Sequence, residues 1–461
     1  MIENITYDEI QIGQSARLVR TLTADDIKAF AAVSGDTNPA HMDIDFAKAS
    51  LFHEVIGHGM WSGSLISTVL GTQFPGPGTI YYSQTLQFKR PVKVGDTLTI
   101  LITAIKKNDE KKKVTLDCLV TNQHLEKVVT GEAVVLAPTE KVKIEIQTAP
   151  HIHLFDSKVG LNNLLALVEH LSPIKCAVVH PCDKDSLFGA IEAANYGLII
   201  PILVGPENKI RDVAKQMGVD LGEIQIIPTF HSHHAAEIAA EMAAAGQVEA
   251  LMKGSLHTNE LMHAVIAKPS LRTKYRLSHI FRFEAPLYPK PLLITDAAIN
   301  INPSLTEKRD IVQNAINLFR ILDERKPKVA ILSAVENIDP NIPSTIEAAA
   351  LCKMADRGQI IGGILDGPLA FDNAISPEAV MIKKIHSQVA GDADILVVPN
   401  LEAGNMLAKQ LEYLGGATAC GIVMGSRVPI ALTSRADGSN NRIASAILVK
   451  LVAHHYRSQK P

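Results

Sequence analysis

The rhythm of apolar residues changes once along this chain, and that change limits the folds open to it. Before about residue 137, short β-branched runs at 79–88, 97–106, 113–122 and 127–136 are cut by turns. Gly95-Asp96 and Asn108-Asp109-Glu110 separate them as in an antiparallel meander. From Leu161 onward the strand-length runs are apolar throughout and alternate with helical stretches. They fall at 176–180, 199–204, 224–227, 250–252, 291–295, 329–332, 395–398 and 429–432. A run without alternation is buried on both faces, as in a largely parallel sheet clad by helices. Two units of different class are therefore expected: α+β over 1–138 and α/β over 159–461, joined by a Pro-interrupted linker at 139–158. The second unit is long enough to divide into two lobes about a cleft.

Composition narrows the setting. With 47% hydrophobic and 20% charged residues in 461, this is a well-buried globular chain. A formal charge of −3 offers no electrostatic basis for nucleic acid or an anionic membrane. The five cysteines are scattered without a C-x-x-C pair, which fits a reducing compartment rather than a disulfide framework or a zinc site. The opening MIENITYDEIQIG lacks the basic and apolar regions of a signal peptide. No apolar run reaches the roughly 18–20 residues a membrane helix needs. A soluble, cytoplasmic protein is the expectation.

In the first unit, Thr23 reads as an N-cap with acids in the turn behind it. That helix stops at Ser34-Gly35-Asp36, and Asn38-Pro39 forces a turn. Gly57-His58-Gly59 then opens a long apolar stretch that reads as a buried helix inside the sheet. Asp36 and His41, five residues apart, are a candidate acid–base pair. A carboxylate and an imidazole sharing one water can add it across an activated double bond. Backbone N–H groups near Gly59 would hold the enolate oxygen. Taken alone, the pair reads more readily as a turn cap and an ordinary surface histidine. Three ordered motifs bear on that choice: SGDTNPAHMD, IGHGM and GTIYYSQTLQFKRPVKVGD. Together they resemble the MaoC-like (R)-specific enoyl-CoA hydratases, a hotdog-fold family. The resemblance implies that Asp36 and His41 are the catalytic dyad, that Gly59 gives the oxyanion N–H and that Ser67 is a site serine. It also implies a site completed at a dimer interface, hence a homo-oligomer. His53 and His58 read as structural, and Trp61 as core or tunnel wall.

In the second unit the run GATACGIVMGSRVPIALTSRADGSNNR is the most informative. A strand at 429–432 empties into Thr433-Ser434-Arg435-Ala436-Asp437-Gly438, with a helical pattern beginning near Asn441. The carboxyl end of a parallel strand is where open α/β sheets bind ligands, and a helix start beside Arg435 suits a phosphate. This half also contains LMKGSLHT, LLITDAAINI, GGILDGPLAFDNAIS and VVPNLEAGNMLAKQLEYLGGA. These segments resemble the phosphate acetyltransferase and phosphate butyryltransferase family, with TSRAD closer to the butyryl branch. The family fold is two-lobed and related to isocitrate and isopropylmalate dehydrogenases. The resemblance implies that Ser434 and Arg435 are the site serine and arginine, the arginine meeting phosphate. The acetyltransferase pattern carries a base aspartate seven residues beyond that serine, where this chain has Asn441. Asp437 is a candidate substitute, and the base stays unassigned. Arg272, Arg276 and Arg282 are candidate substrate arginines too clustered to separate. Asp296 either contacts substrate or caps a loop.

Two patterns carry less. His231, His233 and His234 lack a legible carboxylate or cysteine partner and read as a solvated loop. Nucleotide-loop motifs do not follow any strand, which weakens a dehydrogenase reading. The expectation is a fusion enzyme with acyl-CoA, enoyl-CoA, orthophosphate and acyl phosphate as partners, and no cofactor beyond the coenzyme A moiety. The alternative is one live domain, with the hotdog as an acyl-CoA-binding regulatory module.

Overall fold

The computed structural model describes residues 1–145, 157–433 and 438–461. Two compact units divide after Leu154. In the first, five antiparallel strands are β1 (Ser15–Thr21), β2 (Ile80–Gln84), β3 (Thr97–Asn108), β4 (Lys113–Thr121) and β5 (Lys127–Leu136). They run in the order β1-β3-β4-β5-β2, with Gln87–Phe88 pairing β5. Alternation sets their faces: Leu98, Ile100, Ile102 and Ala104 of β3, with Val114, Leu116, Cys118 and Val120 of β4, are fully buried. Against this face lies the apolar helix read from the sequence, Gly59–Thr72, which buries Trp61, Leu65, Ile66, Val69 and Leu70. Each such side chain contributes roughly 1.5–3 kcal/mol on leaving water. Trp61 is thus core.

An earlier helix, α1 (Ala24–Ser34), starts at Thr23, whose hydroxyl accepts from the Asp26 N–H while Asp26 returns to the Thr23 N–H. It ends at Gly35, whose φ of 75° suits a residue without Cβ. We label the buried helix Gly59–Thr72 α2. The first part of the expected linker belongs to this unit: Lys143–Ile144 pairs with Ile2–Glu3, and Asn4 Nδ2 donates to Glu140 O at 2.9 Å. Most of the remainder lies outside the described residues.

The second unit holds one eleven-stranded sheet. Its strands are β6 (Ile174–Val179), β7 (Ile199–Gly205), β8 (Ile226–Pro228), β9 (Ala250–Lys253), β10 (Ser278–Glu284) and β11 (Leu292–Thr295). Then come β12 (Lys328–Leu332), β13 (Ile364–Leu369), β14 (Ile395–Val397), β15 (Thr418–Met424) and β16 (Ile430–Ala431). The order is β8-β7-β6-β9-β16-β15-β10-β11-β14-β12-β13. Parallel pairing holds at both ends, from β8 to β16 and from β11 to β13. Between these blocks, β15 and β10 run antiparallel to their neighbours. The cleft expected from sequence opens between the blocks, lined in part by α3 (Thr258–Ile266) and α4 (Leu401–Tyr413), while α5 (Ser439–Ser458) follows β16 in the chain.

Candidate active sites

In the first unit, Asn38 caps a single helical turn, Pro39–Met42, by accepting from the Ala40 N–H at 3.0 Å. That turn carries His41. Its Nδ1 lies 2.8 Å from the carbonyl of Ile56. A carbonyl only accepts, so Nδ1 is the donor, and in the neutral imidazole the lone pair is then on Nε2. His58 repeats the device, with Nε2 3.0 Å from the Asp36 carbonyl. The two imidazole centroids lie 4.0 Å apart with the rings tilted by 37°, and Phe30 lies 5.1 Å from the His58 ring. His58 is buried and ties the Asp36 loop to the start of α2. Ligand atoms of Asp36, His41 and His58 lie within 4.8 Å of one another. The fold therefore brings the Asp36 carboxylate and the His41 imidazole close together.

Helix α2 begins at Gly59 without a side-chain cap; the Trp61 N–H donates to the His58 carbonyl at 3.0 Å, which leaves the Gly59 and Met60 N–H groups for a ligand. A Cβ at Gly59 would stand 3.2 Å from the Phe88 ring, so glycine keeps this approach open. His41, Gly59, Phe88 and Ser62 line one cavity of about 310 Å³. Ser62 went unnoticed in the sequence, where a serine in an apolar helix reads as filler. Ser67 is two turns into α2 and exposed, outside the lining of this cavity. His53 is exposed, its Nδ1 3.3 Å from the Lys48 carbonyl.

In the second unit a cavity of about 810 Å³ opens at the carboxyl ends of β9 and β16. Lys253, ending β9, is a buried ammonium on its wall and donates to the Gly254 carbonyl at 3.3 Å. His257 and Thr258 bring the uncapped start of α3 to the same wall. Leu432 and Thr433 form the edge from which residues 434–437 follow. Ser434, Arg435 and Asp437 themselves lie outside the described residues. Thr433 Oγ1 accepts from the buried Arg442 of α5 at 3.0 Å. In the sequence Lys253 stands within LMKGSLHT. Its position at a strand's carboxyl end was the available signal.

Other candidates are placed elsewhere. Asn441, in the first turn of α5, is half-buried in a small recess with Arg282 and Glu284. Arg282 pairs with Glu284 at 2.8 Å. Arg272 and Arg276 line a separate cavity of about 310 Å³, and Arg276 pairs with Glu307 at 2.6 Å. Asp296 caps its loop: its carboxylate accepts from the N–H groups of His279, Ala298, Ile299 and Asn300. His231 Nδ1 caps Ser232–Ala244 by accepting from the His234 N–H, and His234 Nδ1 accepts from the Phe230 N–H. His233 does have a carboxylate at hand, Glu260 at 3.5 Å.

Residues 8–127 match the family described as MaoC like domain, and residues 229–450 match Phosphate acetyl/butaryl transferase. The phosphate acetyltransferase of Rhizobium meliloti is 57% identical over 298 residues, 64% of this chain and 94% of that protein. A branched-chain phosphotransacylase from Enterococcus faecalis is 30% identical, covering 61% of this chain and 99% of that one, with a TM-score of 0.54. The R-hydratase PhaJ1 of Pseudomonas aeruginosa is 44% identical, covering 33% of this chain and 99% of that one, with a TM-score of 0.33. The butyryl leaning of TSRAD is not mirrored in the name of the 57% identical relative. The chain belongs to the phosphate acetyl/butyryl transferase family and carries a MaoC-like hotdog domain ahead of that region.

Proposed function

We propose that the chain is a bifunctional enzyme. Its second unit exchanges coenzyme A and orthophosphate on an acyl group, and its first unit hydrates trans-2-enoyl-CoA to the (R)-3-hydroxyacyl-CoA. The transferase reading rests on the relatives and on the cleft of Lys253, Thr433 and the α3 start. The reaction needs phosphate held by cations, the thiol deprotonated and a tetrahedral oxyanion stabilised. Ser434 and Arg435 are proposed to meet the acyl phosphate, with Asp437 and Asn441 nearby in sequence and no base assigned.

One observation carries the hydratase reading: Asp36 lies beside His41, and His41 shares a cavity with the open helix start at Gly59. The pair takes a proton from water as its oxygen bonds to C3. The π electrons move to the thioester oxygen, near the Gly59 N–H. The enolate then collapses as the pair returns a proton to C2, so H and OH are added and no proton is gained or lost. A module that only bound acyl-CoA would need neither side chain. Ser67 is proposed, by family resemblance alone, to reach substrate once a second copy is present. Strand β2 is a sheet edge with Ile80 and Tyr82 about 60% exposed, which supports pairing with that copy. Among the described residues no helix is long and apolar enough to cross a membrane. A cytoplasmic setting, with no nucleic acid, metal or redox cofactor, completes the reading. Crotonyl-CoA incubated with the protein should give (R)-3-hydroxybutyryl-CoA by chiral analysis. The S product, or none, would overturn the hydratase assignment.

A further inference from the structure

Ser62 is 1% exposed, and its Oγ has no hydrogen-bond partner among the described residues. Its neighbours on α2 behave differently. Ser64 donates to the Trp61 carbonyl at 2.7 Å, Thr68 to Ser64 at 3.4 Å and Thr72 to Thr68 at 2.6 Å. Turning back on the ladder is the usual refuge of a helical hydroxyl. Ser62 forgoes it and lines the cavity shared by His41 and Gly59.

Side chains in a helix lean toward its N-terminus, and residues three apart share a face. Ser62, three residues beyond Gly59, therefore lies over the turn whose N–H groups open on that cavity. Those N–H groups are donors as well, so they cannot satisfy the Ser62 proton. Apart from His41, the side chains lining the cavity near Ser62 are apolar or cationic, Phe88, Val129, Lys89 and Arg90 among them. An oxygen gaining negative charge is the partner this corner is built to receive.

We propose that the Ser62 hydroxyl is a second donor to the thioester oxygen of the enoyl-CoA, completing with the Gly59 N–H the site that holds the enolate. The inference rests on the hydratase reading above. As the water oxygen bonds to C3, the π electrons reach the thioester oxygen, which then accepts both hydrogen bonds. When C2 is protonated the carbonyl re-forms and both bonds weaken. A donor of this kind acts on the transition state, so its loss lowers kcat and leaves KM nearly unchanged.

The test uses the full-length chain with Ser62→Ala, Ser62→Thr and, as a control on the same helix, Ser64→Ala. Two readouts are taken: kcat and KM for crotonyl-CoA, and the enolate absorbance of bound acetoacetyl-CoA. Ser62→Ala should lose about a hundredfold in kcat and most of the enolate band. Ser62→Thr should recover part of both, and Ser64→Ala should match the unaltered protein. Should Ser62→Ala unfold by circular dichroism, Ser62→Cys, a weak donor of similar size, takes its place with the same expectation. Unaltered kcat and enolate band without the hydroxyl would overturn the inference. If the unaltered protein fails to hydrate crotonyl-CoA, the hydratase reading fails. The enolate band still reads Ser62 in that case, and a band insensitive to its loss overturns the proposal.

Discussion

Asp36 and His41 are each placed by a hydrogen bond to a third residue rather than to one another. His41 is fixed through Ile56, and the Asp36 carbonyl is tied to His58. Asp36→Asn and His41→Gln should each lower hydration by about 10²–10⁴-fold, read as loss of enoyl absorbance, while phosphate-dependent CoA release is unchanged. Equal loss of both activities would show a folding defect instead. In the other unit the side chain to test is Lys253, a buried cation facing the cleft. A hydrogen bond to a charged group contributes about 1.5–3 kcal/mol, so Lys253→Gln should raise the KM for orthophosphate about tenfold or more. The KM for CoA should move less, and steady-state kinetics in both substrates separates the two. Asp36, His41 and Gly59 were legible in the sequence because their motifs are local. Ser62 was not, because only the fold shows that its hydroxyl forgoes the helix ladder.

At the scale of elements, legibility followed hydrophobic pattern. β4 and the first eight residues of β3 alternate, and with the β-branched run of β5 all three strands are legible almost to their ends. β1 is charged, with Arg17 and Arg20, and lies at a sheet edge, so it gave no signal. In the second unit eight of the nine parallel strands are legible as continuous apolar runs; β13, at the sheet edge and only partly buried, is not. The antiparallel pair between the blocks was missed. β10 mixes buried Ser278, His279 and Arg282 with Phe283, and β15 is built of small residues such as Ala419, Cys420 and Gly421. Register at the far block depends on Asp394, a fully buried carboxylate between β12 and β14. Arg325 grips both its oxygens at 2.8 and 2.7 Å, Lys290 approaches at 2.7 Å and the Lys328 N–H at 2.8 Å. Burial pushes its pKa up, but the Arg325 and Lys290 hydrogen bonds win and hold it below the usual carboxylate range. A depressed pKa in the fold means stability present above the unfolded value of about 4, lost as pH falls through the folded value. Asp394→Asn should therefore cost about 3 kcal/mol at neutral pH and soften the acid limb of the stability curve. A thermal melting series from neutral to acid pH checks it, and parallel curves for both proteins would contradict it.

As a whole the molecule joins two compact units in one chain, each with its own core and its own cavity. Both proposed reactions take an acyl-CoA, so a common substrate pool is the simplest reason for joining them. The two sites do not share side chains, and their chemistry is separable in principle. The most direct test is one preparation assayed twice: for loss of enoyl absorbance with crotonyl-CoA, and for phosphate-dependent release of CoA from butyryl-CoA or acetyl-CoA. Asp36→Asn and Arg435→Ala are assayed in parallel. A bifunctional enzyme shows both activities in the unaltered protein, loses hydration alone in the first variant and loses CoA release alone in the second. CoA release without hydration would contradict that reading, reducing the hotdog to a binding module.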